Sequence, residues 1–352
     1  MIGRIVALDT FRGREAAALI VDGRLEDVLI APPEDTGPGV GAILRGQADR
    51  LVKGQGGVFV RLPEGRTGFL RDISGLAPGR AVLVQVSGTA EAGKAIPLTA
   101  RLLFKSRHVI VTPDAPGLNI SRRIRDEDLR AELEGLAAES MAGTPDSLGL
   151  ILRSAAAMAE PEDIAADVAA MRDLALAVLA DLSGDPELLV DAPTPHEEAW
   201  RDWSDPAPDE VDADDGSFDR HGIAAMIEAC LDPDVRLAGS GSMVIEPTRA
   251  LVAVDVNTGG DTSPAAGLKA NIAAVRDLPR QLRLRGLGGV VTIDMAPMPK
   301  KDRAAVEQQL RQALKGEGAE TIVAGWTPLG HLELQRKRDR LPLTTLLQGI
   351  RQ

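Results

Sequence analysis

The sequence predicts a mixed α/β protein built from more than one unit, and three observations carry that prediction. Residues 42–104 hold five short strand-like runs separated by glycine-rich turns. Residues 126–182 switch to helical periodicity, as in EDLRAELEGLAAESM and EDIAADVAAMRDLALAVLADL. From residue 221 onward, apolar strand-like runs alternate with amphipathic helical ones. The first pattern suits a small closed barrel and the last a layered α/β unit. A chain of 352 residues has room for two or three domains of roughly 100–200 residues each.

Residues 2–30 read as a hairpin of IGRIVALDT and REAAALIVDGRLEDVLI, with Asp22-Gly23 as the turn signal. A link rich in proline and glycine follows, APPEDTGPGVG. The barrel runs are AILRGQADRLV, GGVFVRL, GRTGFLRDI, AVLVQV and IPLTARLLF, a number and spacing that fit an OB-type Greek-key barrel. Residues 191–219 (DAPTPHEEAWRDWSDPAPDEVDADDGSFD) are acidic and proline-rich with little periodicity, as expected of a loop or linker. Beyond 221 come a helix, the strand SMVIEPTRALVAVDVN, the helix NIAAVRDLPRQLRL, the strand GGVVTIDM, the helix KDRAAVEQQLRQALKG and the strand AETIVAG. The expected boundaries are 1–36 for the N-terminal hairpin, 37–104 for the OB-type module and 105–190 for a mixed helical region. An acidic proline-rich linker over 191–220 and an α/β domain over 221–352 complete the chain.

Charge is distributed unevenly. The net charge is −12, yet residues 41–125 hold 14 basic against 5 acidic side chains and residues 241–352 hold 16 against 11. Residues 126–240 hold 6 basic against 29 acidic side chains. Attraction to a polyanion depends on local potential, because the Debye length is ~8 Å at physiological salt. The two basic segments are therefore what a nucleic acid would meet. No apolar run reaches the ~18–20 residues that span a bilayer, and the N-terminus has no long apolar stretch of a secretory signal. The single Cys230 excludes an internal disulfide and a cysteine-based zinc cluster, and His108, His196, His221 and His331 lack metalloprotease spacing. A cytoplasmic protein without membrane contact and without zinc is expected. The glycines at 37–41 and 54–57, and the run Gly239-Ser240-Gly241-Ser242, match no phosphate-loop pattern in strand–helix context, which disfavours nucleotide hydrolysis.

Asp255 and Asp294 are the most informative pair. LVAVDVN ends an apolar run in Asp255 and is followed by Thr258-Gly259-Gly260; GGVVTID does the same at Asp294, 39 residues later. Ligands of open α/β sheets collect at the carboxyl ends of strands. Two carboxylates delivered to one edge would make a hard, oxygen-rich site suited to Mg²⁺, with Mn²⁺ as an alternative. Asn257 adds an amide that orients a carboxylate or a water. The bland alternative is that each Asp caps the turn that follows it.

Over Gly239 to Met298, and above all in RQLRLRGLGGVVTID, the chain closely resembles the ribonuclease E/G family. That resemblance implies a DNase I-like catalytic domain, Mg²⁺ held by Asp255 and Asp294, and Asn257 positioning the hydrolytic centre. It implies that the N-terminal hairpin belongs to a reduced RNase H-like subdomain, with the OB barrel inserted between it and a 5′-sensor region. Phe59 and Phe69 match aromatics that stack on RNA, and Lys94 matches a companion cation; filling of the barrel core is the alternative for both rings. GLILRS at 149–154 resembles a pocket for an RNA 5′-monophosphate, gripped by Arg153 and Ser154 with Arg122 nearby. Taken alone, Arg153 reads as a surface residue at a strand end. Gly330 to Arg338 (GHLELQRKR) matches the motif of a closing helix. Pro297, Ala273 and Pro328 depart from the family pattern near the centre, and the cysteine pair of a zinc-linked assembly is missing. Single-stranded RNA is the implied partner, and an oligomer, if formed, is not zinc-linked. Two functions are carried forward: a Mg²⁺-dependent endoribonuclease, and a catalytically weak or inactive RNA-binding protein that keeps the fold.

Overall fold

Two turns with left-handed residues organise the N-terminus. Arg12-Gly13 and Asp22-Gly23 all take positive φ, between 50° and 78°, as a type I′ hairpin turn requires. They join strands Arg4–Phe11, Arg14–Val21 and Arg24–Ile30 into an antiparallel meander. The expected hairpin is thus three-stranded; the Arg-Gly turn is a weaker sequence signal than Asp-Gly. The computed structural model describes residues 3–52, 56–71, 75–91, 93–239 and 241–348. Gly54 and Ser240, from the glycine-rich runs above, lie outside them.

A fourth strand, Glu210–Asp212, adds to this sheet in parallel with Arg4–Phe11. It comes from the segment expected to be a structureless linker, and that expectation is corrected. Within 191–220 a helix also forms over Pro195–Asp202. Thr194 caps it: its hydroxyl accepts from the Glu197 amide at 3.3 Å, while the Glu197 carboxylate accepts from the Thr194 amide at 2.9 Å. Ala199 and Trp203, four residues apart, then bury against Val6, Ala17, Leu19 and Leu29. One cap and one narrow apolar stripe suffice, and the acidic, proline-rich composition conceals both.

Five strands close into a barrel: Ile43–Val52, Gly57–Arg61, Thr67–Arg71, Ala81–Val86 and Ile96–Thr99. Closure is made because Ile43–Val52 pairs with both Gly57–Arg61 and Ala81–Val86. Leu44, Val60, Leu62, Leu70, Val84, Val86 and Leu98 fill its interior. Gly68 is required there, since a Cβ would collide with the Leu98 side chain. Strand Glu187–Val190 adds to the barrel beside residues 43–45. A second layer follows, in which strands Phe104–Lys105, Val109–Pro113, Leu118–Ile120 and Leu148–Leu152 pack against helices Glu127–Ser140 and Pro161–Ala180.

The C-terminal sheet has six strands in the order Asp234–Arg236, Ser242–Pro247, Leu251–Asn257, Gly289–Asp294, Leu332–Arg336 and Thr321–Trp326. Leu251–Asn257 and Gly289–Asp294 run parallel, and the helix Ala266–Leu284 crosses between them. The run SMVIEPTRALVAVDVN is not one strand but two, turned at Thr248, whose hydroxyl donates to the Leu251 carbonyl at 2.8 Å. GHLELQRKR is likewise corrected: it forms the strand Leu332–Arg336, not a helix. Leu332, Leu334 and Arg336 are buried while Glu333 and Gln335 alternate outward, a period of two that no helix can satisfy. The core beneath this sheet joins Met243, Val254, Val256, Val275, Leu278, Ile293, Leu310 and Leu332.

Candidate metal centre and nucleic-acid interface

Alternation along two buried strands places the acids. Val252, Val254 and Val256 face the core, so Asp255 and Asn257 face away from it; Val291 and Ile293 do the same for Asp294. The parallel register sets Asp255 directly opposite Asp294, at the carboxyl ends of both strands. Both acids and Asn257 are exposed. The Asn257 side-chain amide donates to Asp255 Oδ2 at 2.9 Å, which fixes one carboxylate oxygen. Among the described residues neither acid is ion-paired to a lysine or arginine. Two adjacent, uncompensated carboxylates supply a donor set that fits a hard divalent cation.

His331 also belongs to this place, and nothing in its sequence surroundings marked it beyond its position before LELQR. Its Nε2 lies 3.8 Å from Asp294 Oδ1. Of the departures noted above, Ala273 sits on the helix beneath the sheet and packs against its core, while Pro297 and Pro328 are exposed.

On the barrel, Phe59 and Phe69 are cross-strand partners whose ring centroids lie 5.3 Å apart. Both are half-buried and neither belongs to the barrel core, which Val60 and Leu70 occupy from the opposite face. The Arg50 guanidinium lies 5.3 Å from the Phe59 centroid and that of Arg71 lies 6.0 Å from Phe69. The result is an outward aromatic pair flanked by two cations. Lys94 stands on the loop before Ile96–Thr99 and is ion-paired with Glu91, which also takes Arg338 at 2.9 Å.

Arg153 and Ser154 follow strand Leu148–Leu152, and the parallel neighbour Leu118–Ile120 leads into Ser121 and the exposed Arg122. Both segments therefore leave one end of their sheet together. Arg153 already has partners: it donates to the Ser106 and Arg201 carbonyls at 2.7 and 3.1 Å and to Asp202 Oδ1 at 2.6 Å. Burial pushes Asp202 up, but Arg201 and Arg153 outweigh it and hold the carboxyl below its ordinary value.

A second acidic group was not foreseen. Ligand atoms of Glu210, Asp212 and His221 all lie within 4.8 Å of one another. The Arg220 guanidinium grips both Asp212 oxygens, at 3.0 and 2.6 Å, and His221 Nε2 lies 3.0 Å away. The Arg220 hydrogen bonds bring the Asp212 carboxyl down to about 2. Arg220, His221 and the Asp214 amide, which donates to Oδ1 at 3.3 Å, together engage both Asp212 oxygens, so this cluster reads as a clamp on the parallel strand.

A family model described as the ribonuclease E/G family matches residues 104–217 and 210–339. Ribonuclease G of Salmonella typhimurium is 29% identical over 387 aligned residues, covering 92% of this chain and 77% of its own length. Ribonuclease E of a Nostoc species is 28% identical and covers 92% of this chain, which spans 54% of that relative. Ribonuclease E of Haemophilus influenzae is 31% identical over 76% of this chain and 32% of its own length. The chain thus spans between a third and three-quarters of these relatives. Because the matched region includes the closed barrel's downstream neighbour and both strand-end aspartates, and extends over more than half of the residues, the chain belongs to the ribonuclease E/G family.

Proposed function

We propose that the chain is a divalent-metal-dependent endoribonuclease that cuts single-stranded RNA, with Mg²⁺ as its ion and Mn²⁺ as the alternative. The observation that carries this reading is the register pairing of Asp255 with Asp294 on an exposed row, without a lysine or arginine to neutralise either among the described residues. A pure binding surface gains nothing from such a pair, because adjacent carboxylates repel phosphate. A bound Mg²⁺ would supply an activated water and offset charge on the phosphate oxygens. Asp255 and Asp294 would hold it, while Asn257 keeps Asp255 in one orientation through the amide hydrogen bond. The names of the relatives, ribonuclease E and ribonuclease G, support RNA as substrate.

The barrel would hold the strand. Phe59 and Phe69 offer faces on which successive bases stack, and Arg50 and Arg71 lie where backbone phosphates would pass. Lys94, paired with Glu91, would act through the same surface once phosphate competes for it. Arg153, Ser154 and Arg122 form the proposed 5′-monophosphate pocket. Arg153 is the fork that matches phosphate, and the ligand must displace Asp202 from it. In this reading 37–104 is the RNA-binding module, 105–190 the sensor region and 221–352 the DNase I-like catalytic domain, with RNA processing or decay in the cytoplasm as the role.

The test is incubation of the full chain with 5′-monophosphorylated single-stranded RNA, with and without Mg²⁺. Internal cleavage that needs the ion and disappears in Asp255→Asn is expected. RNA that is bound but never cut, with Mg²⁺ or Mn²⁺, would overturn the enzyme reading in favour of a binding protein with this fold.

A further inference from the structure

We infer that His331 is a nitrogen ligand of the cation held by Asp255 and Asp294, so that the centre, while able to work with Mg²⁺, binds Mn²⁺ more tightly. The inference rests on the metal reading above and adds a residue and an ion preference to it. Three strands place the group. Asp255 is opposite Asp294 in the parallel ladder, and on the other side the antiparallel ladder ends with Ile293 opposite Leu332. One step further along that register sets His331 opposite Asp294. Val254, Ile293 and Leu332 form a buried row at 3%, 1% and 0% exposure. The next row, Asp255–Asp294–His331, therefore faces away from the core on all three strands.

The backbone before His331 is pinned. Its amide donates to Thr327 Oγ1 at 3.1 Å, its carbonyl accepts from the Thr327 amide at 2.8 Å, and Gly330 closes the turn onto the Thr327 carbonyl at 3.0 Å. The ring is one-third exposed, and among the described residues no hydrogen bond engages it. At 3.8 Å the His331 Nε2 and Asp294 Oδ1 are too far apart for a hydrogen bond. Two donors each ~2.1 Å from one ion stand between ~3.0 Å apart at a right angle and ~4.2 Å apart when opposite. The observed separation falls in that range. Asp294 lies between the other two, so His331 reaches a shared ion by rotation about its unrestrained side-chain torsions. Arg303, close to Gly330, lies over the Trp326 ring at 4.4 Å, and that indole donates to Glu307 at 2.7 Å. An all-oxygen set suits Mg²⁺, whereas an imidazole added to it favours first-row transition ions over Mg²⁺, and of these Mn²⁺ is the one that also suits carboxylate and water.

Pulsed electron paramagnetic resonance on the full chain loaded with Mn²⁺ tests this directly, beside calorimetric titration with Mn²⁺ and Mg²⁺. Bound Mn²⁺ is expected to show nitrogen hyperfine modulation that disappears in His331→Gln. In that variant the Mn²⁺ dissociation constant should rise about tenfold and that for Mg²⁺ less than about threefold. Modulation absent from wild-type protein whose Mn²⁺ is lost in Asp255→Asn would overturn the inference while leaving the metal reading standing. Modulation that persists in His331→Gln, or survives Asp255→Asn, would overturn it by placing the nitrogen elsewhere. Wild-type protein that holds no Mn²⁺ sensitive to Asp255→Asn would overturn the metal reading itself.

Discussion

Replacing Phe59 and Phe69 together by leucine separates a stacking surface from a core. If the rings carry bases, each stacked base contributes ~1–3 kcal/mol as measured by alanine substitution. Leucine keeps part of the apolar contact, so the pair should lose about 2–4 kcal/mol, or roughly 30- to 700-fold in Kd. The cost to folding follows from the same geometry. The ring pair at 5.3 Å contributes ~0.5–1.5 kcal/mol beyond burial. Each arginine contact, at 5.3 and 6.0 Å, contributes ~0.5–1 kcal/mol at an exposed site. Since neither ring fills the barrel interior, the total stays below about 4 kcal/mol and the chain remains folded. The assay is fluorescence anisotropy of a labelled single-stranded oligonucleotide in an Asp255→Asn background, beside thermal melts. Wild-type affinity in the double variant would refute the platform. So would a loss of binding that merely follows the unfolded fraction.

Three other perturbations have defined outcomes. Asp255→Asn or Asp294→Asn should abolish metal-dependent cleavage in a gel assay while leaving RNA affinity unchanged or tighter, and Asn257→Ala should slow cleavage less, since it removes only the hydrogen bond to Asp255. Arg153→Ala should reduce cleavage of 5′-monophosphorylated RNA about 10- to 150-fold more than that of 5′-hydroxyl RNA, from a charge-assisted contact of roughly 1.5–3 kcal/mol; equal losses would reduce Arg153 to its bonds with Ser106, Arg201 and Asp202. Asp212 is held at about 2 when folded, below its ordinary value. Its stabilisation is thus complete above about pH 4 and lost as pH falls through about 2. Melting temperatures of wild type and Asp212→Asn should differ most at neutral pH and converge toward pH 2, and a constant difference would contradict the clamp.

The order of strands and helices was legible because most of it depends on local patterning. The five barrel runs and the two strands that deliver Asp255 and Asp294 announce themselves by apolar runs between glycines. Register was not legible: whether the two acids lie side by side depends on a ladder assembled by a helix of 19 residues between them. His331 stayed hidden for the same reason, since only pairing of Leu332 with Ile293 brings it beside Asp294. The helix Pro195–Asp202 escaped notice because two prolines and four acids between 191 and 202 outweigh Ala199 and Trp203 in any compositional reading. GHLELQRKR shows the opposite error: its period-two alternation was present in the sequence, and the motif's family association with a helix overrode it.

Charge counted along the chain is not charge offered to RNA. The C-terminal segment has a basic excess, yet part of it is committed to holding the molecule together. Arg336 is buried and donates to Glu317 at 2.9 Å, Arg338 pairs with Glu91 on the barrel loop, and Arg340 grips the buried Asp27 through two bonds. Arg283 pairs with Glu26 and Glu317 in the same network. The Arg338 pair ties the C-terminal unit to the barrel and the Arg283 and Arg340 pairs tie it to the first sheet, and removing the arginine that faces buried Asp27 or Glu317 would leave a buried carboxylate short of its counter-charge. Arg45 on the barrel is likewise buried between Asp181 and Glu187. Arg50, Arg61, Arg71, Arg80 and Arg101 remain exposed on or beside the barrel. Since screening lets only nearby exposed charges attract phosphate, the exposed arginines of the barrel are the ones that stand with the outward phenylalanine pair, while Arg283, Arg338 and Arg340 serve to fix the sheet that carries Asp255 and Asp294 against the barrel and the first sheet.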